Sequence, residues 1–259
     1  LTSVVDEVVG TIINSHETKQ PIEFIRHRYT LDEETAYLVQ EKLIHQKCAS
    51  KNTEVAGYKI SMTSAETQAI ANTDEPAYGT LLSTHILHSG ESISLSSMFA
   101  PLIEPEIMFV LTDDLSPGAS EDEIIKKSKI CAGIEIPDAR YIDWFPNFSL
   151  SDLLCDNTAT GLVVLAEPIE PFSIKAFEQI KMELFHDGEK ISEGLSSAVL
   201  GNPVSSVAWL ARKLAKKNKT LKKDMIISSG TFISPLVAKE GTYKVSYSDI
   251  GEVEVTFVQ

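Results

Sequence analysis

Leu102-Ile103-Glu104-Pro105-Glu106-Ile107-Met108-Phe109-Val110 reads as a strand with two acids set into an otherwise apolar run. Residues i and i+2 of a strand face one side, so Glu104 and Glu106 point together and share that side with Met108 and Val110. Two like charges on a half-buried face are costly unless a cation neutralises them. The plainer reading is a solvated strand end, with Pro105 marking an edge or a bulge. The residues alone leave both readings open.

Working outward, Ile130-Cys131-Ala132-Gly133-Ile134-Glu135-Ile136-Pro137-Asp138 repeats the pattern, with an acid between two isoleucines. Such a residue is partnered or exposed. Glu104, Glu106 and Glu135 together would form an all-oxygen site, which suits Mg²⁺ or Mn²⁺ better than zinc. Gly57-Tyr58-Lys59-Ile60-Ser61-Met62 sets a lysine inside an apolar strand. Lys59 either snorkels to the surface or faces the acids as a proton donor or base. Asp156-Asn157-Thr158-Ala159-Thr160-Gly161 is a polar cluster before a buried strand, which reads as a turn or as a substrate-positioning loop. His85 and His88, three apart near a turn, are the weaker candidate ligands.

Before this β-rich region the chain is helical. Val4, Val5, Val8, Val9, Ile12 and Ile13 recur at helical spacing, and Thr30-Leu31-Asp32-Glu33 reads as a capping box ahead of Ala36, Val39, Leu43 and Ile44. Strands are predicted at 55–62, 103–111, 130–136, 161–166, 180–185, 225–229, 242–247 and 252–258. His186-Asp187-Gly188-Glu189 has the signal of a tight hairpin. Ser120-Glu121-Asp122-Glu123 opens one interrupting helix, and 207–217 forms another. The expectation is an α+β protein, with a helical segment 1–54 on a β-rich catalytic body 55–259 forming one structural unit.

The 259 residues are 43% hydrophobic and 23% charged, which excludes a mainly disordered chain. The net charge of −14 argues against nucleic acid and anionic membranes as partners. No apolar run reaches membrane-spanning length, and the N-terminus lacks the basic-then-apolar layout of a signal peptide. Three scattered cysteines argue for reduced thiols, so a cytoplasmic protein is expected.

Taken in order, these motifs resemble the fumarylacetoacetate hydrolase superfamily, in its 2-keto-4-pentenoate hydratase/4-oxalocrotonate decarboxylase branch. The resemblance runs from Gly57 to the C-terminus. It is carried by Gly57-Tyr58-Lys59, Met62-Thr63-Ser64, Asp74-Glu75-Pro76, Ile103-Glu104-Pro105-Glu106, Glu135-Ile136-Pro137-Asp138-Ala139-Arg140, Asp156-Asn157-Thr158-Ala159 and Val207-Ala208-Trp209-Leu210-Ala211-Arg212-Lys213. It implies a mixed, rolled β-sheet body, a divalent metal (Mg²⁺ or Mn²⁺) on Glu104, Glu106 and Glu135, and Lys59 as the catalytic lysine. Arg140, Asp156, Asn157 and Thr160 would then orient the substrate. The implied activity is that of a lyase in aromatic meta-cleavage catabolism, hydrating 2-hydroxypenta-2,4-dienoate or a homologue. The alternatives are decarboxylation of a 2-oxo-enedioate or a non-catalytic partner subunit. Ala77, where hydratases carry an acid, resembles the decarboxylases, whereas Gly161-Leu162 resembles the hydratases. The implied partners are a small 2-oxo or 2-hydroxy-dienoic acid, other copies of the chain in a homo-oligomer, and a neighbouring pathway enzyme.

Overall fold

In the computed structural model, which describes residues 3–259, a side-chain cap starts every α-helix except the irregular turn at 144–147. Helix α1 (Val4–Thr18) is capped by Ser3, whose hydroxyl accepts from the Asp6 N–H while Asp6 reaches back. Helix α2 (Glu33–Ser50) is capped by Asp32, which accepts from Thr35 N–H at 2.8 Å. The cap therefore lies two residues beyond the predicted Thr30, because the Asp32 carboxylate is the group placed to take the orphan donor. Ala36, Val39, Leu43 and Ile44 are buried as their spacing requires.

The remaining helices are short, apart from the last: α3 (Ala65–Ala71), α4 (Glu121–Lys126), the irregular turn α5 (Trp144–Asn147), α6 (Leu150–Cys155) and α7 (Pro203–Ala215). Helix α7 starts at Pro203 rather than at the predicted Val207. Asn202 accepts from Val204 N–H, and Pro203 occupies a first-turn position that needs no donor.

The strands are β1 (Val55–Ser61), β2 (Ala77–Leu82), β3 (Ile86–His88), β4 (Ser92–Ser94), β5 (Leu102–Leu111), β6 (Ser128–Ile136), β7 (Leu162–Leu165), β8 (Lys181–His186), β9 (Glu189–Leu195), β10 (Ile226–Thr231), β11 (Leu236–Val237), β12 (Gly241–Tyr247) and β13 (Gly251–Val258). Every predicted strand is present with ends within two residues. The hairpin joins β8 to β9 with His186 opposite Glu189. Strands β2, β3 and β11 carry no alternation to betray them, and β4 alternates over only three residues; β2 is buried along its whole length and interrupted by Gly79.

Among the described residues, one sheet has eight strands in the order β2-β1-β10-β5-β6-β7-β3, with β11 also on β5. A five-stranded sheet, β4-β13-β12-β8-β9, lies against it, with β12 and β13 packed on β6. The fold is thus a mixed, curled β-body with helices at its N-terminal end. Helices α1 and α2 share one apolar core with the sheet strands, and α2 also packs on α6.

Candidate active site

Strand β5 is central, between β10 and β6, so Glu104 and Glu106 do not sit on a solvated edge. In the antiparallel β5–β6 ladder Glu104 lies opposite Glu135 and Glu106 opposite Gly133. Cross-strand partners face one side, and one oxygen from each of the three acids lies within 4.8 Å of the others. The bulge expected near Pro105 falls on the neighbouring strand, where the β10–β5 register shifts between Ser228 and Thr231. That shift lets two donors reach one oxygen: Ser228 Oγ at 2.5 Å and Gly230 N–H at 2.8 Å both bond Glu106 Oε2. Gly230 has φ +123°, and a β-carbon there would lie 2.5 Å from Thr63 Oγ1. Only glycine gives this arrangement.

The other Glu106 oxygen, Oε1, and Glu135 Oε2 are buried without a hydrogen-bond partner. Buried carboxylate oxygens are rarely left so. Burial and then the Glu135 charge push the Glu104 carboxyl up to about 8, and the same two causes raise Glu106 well above the carboxylate range. Three clustered acids, two of them with orphaned buried oxygens, and no histidine or thiol in the group fit a hard divalent cation.

Strand β1 runs parallel to β10 with Lys59 opposite Ser228, which brings the lysine to the same cluster. Its ammonium lies 2.7 Å from Glu135 Oε1, and the side chain is 2% exposed. The snorkelling reading is therefore set aside. Burial alone would lower its pKa, but Glu135, Glu104 and Glu106 more than reverse this and raise it, so Lys59 is held as a cation.

Lys59, Glu104 and Glu106 line a cavity with Met62, Thr63, Leu102 and the aromatic segment Trp144, Phe145 and Phe148. The polar loop contributes Thr158 and Ala159 to this wall. Asn157, Thr158 and Ala159 all have φ near +50°, an uncommon run for residues with side chains. Surrounding bonds impose it. Asn157 pairs through both ends of its amide with the Thr80 backbone, and Thr158 Oγ1 donates to Tyr78 O at 2.6 Å. Gln40 of α2 donates to Tyr78 O, Leu154 O and Thr158 Oγ1.

Arg140, Asp156, Asn157 and Thr160 lie behind this wall. Arg140 Nε donates to Asp156 at 2.7 Å and Nη2 to the Asp156 carbonyl, while Thr160 Oγ1 donates to Asn157 O. Their polar atoms face each other and the backbone, and none of the four lines the cavity. Ala77 is buried opposite Ser61 in the β1–β2 ladder. His85 Nδ1 accepts from Leu82 N–H, and among the described residues neither His85 nor His88 falls in a group of three potential metal ligands.

No family model matches the sequence. Curated relatives do. The chain is 32% identical over 233 residues to 2-oxo-hept-4-ene-1,7-dioate hydratase of Escherichia coli, covering 87% of this chain and 86% of that protein. It is 30% identical over 258 residues to 2-keto-4-pentenoate hydratase of Paraburkholderia xenovorans, covering 97% and 94%. The chain belongs to the 2-keto-4-pentenoate hydratase family. Members of this hydratase branch are lyases, and so is this chain. Its fold matches that of 4-oxalocrotonate decarboxylase from Pseudomonas putida, solved with magnesium and adipate, at a TM-score of 0.90, 23% identity and coverage of 98% and 97%. A more distant fold neighbour is fumarylpyruvate hydrolase from Pseudomonas aeruginosa, solved with Mn²⁺ and pyruvate, at a TM-score of 0.58 and 11% identity, covering 78% and 88%.

Several residues of this hydratase-branch site escape sequence reasoning. Ser228 and Gly230 sit in Ile226-Ile227-Ser228-Ser229-Gly230-Thr231, which reads as an ordinary strand, although a glycine beside two serines hints at a bulge. Trp144, Phe145 and Phe148 form an aromatic cluster with centroids 5.6–6.4 Å apart, where sequence shows only a loop rich in Phe, Pro and Ser.

Proposed function

We propose that this chain hydrates 2-hydroxypenta-2,4-dienoate or a close homologue to a 4-hydroxy-2-oxo acid, in the catabolism of aromatic ring-cleavage products. The observation that carries the proposal is that Lys59, Glu104 and Glu106 line one cavity, with Glu135 in contact with Lys59 and clustered with the other two acids. The hydratase names of relatives at 30% identity and above support it.

Glu104, Glu106 and Glu135 would hold Mg²⁺ or Mn²⁺ through the oxygens that lack protein partners. When bound, the ion supplies Lewis-acid stabilisation of charge growing on the substrate's C2 oxygen. Lys59 enters as an ammonium and can deliver a proton to C5 of the dienol, and the C2 hydroxyl proton then returns to its amine, so that the ketone forms with no net change at the lysine. Ketonisation makes C4 electrophilic, so water can add there. The Glu135 carboxylate, in contact with Lys59, keeps the ammonium oriented between turnovers. The apolar wall excludes bulk water from the carbanionic carbon. Arg140, Asp156, Asn157 and Thr160 serve by holding the left-handed turn that presents Thr158 and Ala159.

The test supplies purified, Mg²⁺- or Mn²⁺-loaded protein with 2-hydroxypenta-2,4-dienoate and, separately, 2-oxohex-3-enedioate, following diene absorbance and CO₂ release. Loss of diene absorbance from the first is expected. CO₂ release from the second without hydration of the first would mean a decarboxylase, and inactivity on both would mean a non-catalytic subunit. Glu106→Gln should abolish metal-dependent turnover while the protein stays folded.

A homo-oligomer is part of this proposal, supported by exposed Ile191 and Leu195 on the edge strand β9. Light scattering measures it. A cytoplasmic location accords with the free, buried Cys131 and Cys155. No helix among the described residues is long and apolar enough to cross a membrane.

A further inference from the structure

The two relatives differ in what lies beyond C4 of the acid in their names: one is a dioate with a second carboxylate, the other a mono-acid. The cavity of this chain speaks to that difference. Among the described residues that line it, Lys59 is the one cation, and its ammonium is engaged with Glu135 on the sheet floor. Most of the remaining lining is apolar, with Trp144, Phe145, Phe148 and Leu153 joined by Leu102, Pro137 and Ile70. Trp144 spends its indole N–H on Ala100 O at 3.0 Å.

Behind that wall Arg26 and Arg140 are committed, and Lys47, bonded to the His16 ring, does not line the cavity. Arg26 is paired with Asp152 and donates to Asn147 O, and Arg140 is paired with Asp156. Of the cavity hydroxyls, Thr158, Thr231 and Thr67 donate to main-chain carbonyls. Ser61 and Thr63 remain as donors, and neither carries charge. A second carboxylate would therefore lose its water against aromatic and aliphatic carbon and meet no counter-charge, a costly exchange. A hydrogen, alkyl or aryl group loses nothing there and gains apolar contact.

We propose that the Trp144-Phe145-Phe148-Leu153 wall makes this enzyme selective for mono-acid dienols whose distal end is uncharged and apolar, against dioates of the same reactive core. The proposal rests on the hydratase reading above and adds the substrate's distal chemistry to it. The wall residues touch the substrate's far end and take no part in proton transfer.

The experiment has a turnover arm and a binding arm. With Mg²⁺-loaded protein, kcat/KM for 2-hydroxyhexa-2,4-dienoate should exceed that for 2-hydroxyhepta-2,4-diene-1,7-dioate by at least about 10-fold. Calorimetry with the unreactive analogues 2-oxopentanoate and 2-oxoheptanedioate should rank them the same way without any turnover. Phe148→Arg and, separately, Leu153→Arg should narrow the gap by improving the dioate, and either variant that folds serves. A dioate bound or turned over as well as the mono-acid by the natural protein overturns the selectivity and leaves the hydratase reading standing. Metal-loaded protein that neither binds the analogues nor hydrates either dienol overturns the reading beneath it.

Discussion

Lys59 has two neighbours that define its role, with Glu135 in direct contact and an apolar strand keeping water out. Replacing it with Met keeps most of the stem volume and deletes the charge. Lys59→Met should lower kcat by about 10²-fold or more, in line with the loss of a general acid. Metal affinity should hold or rise, because a cation beside the three acids has gone. Near-natural turnover by this variant would reduce Lys59 to a structural residue. Ser228 acts one step further out, since it fixes Glu106 through Oε2 and leaves Oε1 open. Ser228→Ala should weaken Mg²⁺ or Mn²⁺ binding by about 10- to 100-fold, as loss of a ligand's supporting bond does elsewhere. Calorimetric titration with the metal measures this directly, and kcat at saturating metal should largely recover. An unchanged metal affinity would show that Gly230 N–H suffices to orient the carboxylate.

At the scale of elements, the site depends on one strained turn clamped against β2. Asn157→Ala removes both amide bonds to the Thr80 backbone and orphans a buried N–H and C=O. A loss of about 2–4 kcal/mol in urea unfolding follows if each orphan costs ~1–2 kcal/mol. KM should rise as Thr158 and Ala159 leave the wall; an unaltered KM would detach the turn from substrate binding. This turn also marks where sequence reasoning stops. The acids and Lys59 were legible because charge inside an apolar strand violates the local pattern, and such violations concentrate at functional sites. The left-handed run at 157–159 was not, because its conformation is imposed by Gln40, Tyr78 and Thr80, far away in the chain. The aromatic wall stayed hidden for a similar reason, since only tertiary packing brings Trp144 and Phe148 to the cavity that Lys59, Glu104 and Glu106 line. Gly161, which resembles hydratases in sequence, has a packing cause of its own: a β-carbon there would lie 2.1 Å from Ile136 O. That residue identity reflects how closely β7 approaches the end of β6 as much as it reflects chemistry.

At the scale of the whole molecule, the net charge of −14 contrasts with two buried cations, Lys47 of α2 and Arg140, that lie close enough to repel each other. Lys47 is 8% exposed, and its hydrogen-bond partner is the neutral-capable His16 ring, 2.9 Å away. Burial first, then the Arg140 charge, pull the Lys47 pKa down to about 7; Asp156 opposes this, while Lys51 and Lys19 add to it. The unfolded chain would hold that proton up to the ordinary lysine range near 10.4. Between those values the unfolded state binds more protons, so stability from this group rises with pH from about 7 to 10.4. Below pH 7 the folded protein carries the full cost of a buried, unpaired ammonium. Lys47→Met removes that cost but leaves His16 without its partner, an expense that does not vary over this range because burial holds His16 neutral throughout. The Tm of the variant minus that of the natural protein should therefore be greatest at pH 6.5 and fall steadily by pH 9.5, as scanning calorimetry at both values measures. A difference independent of pH would mean that Lys47 keeps an ordinary lysine pKa in the folded protein, with the Asp156 charge cancelling the effect of burial.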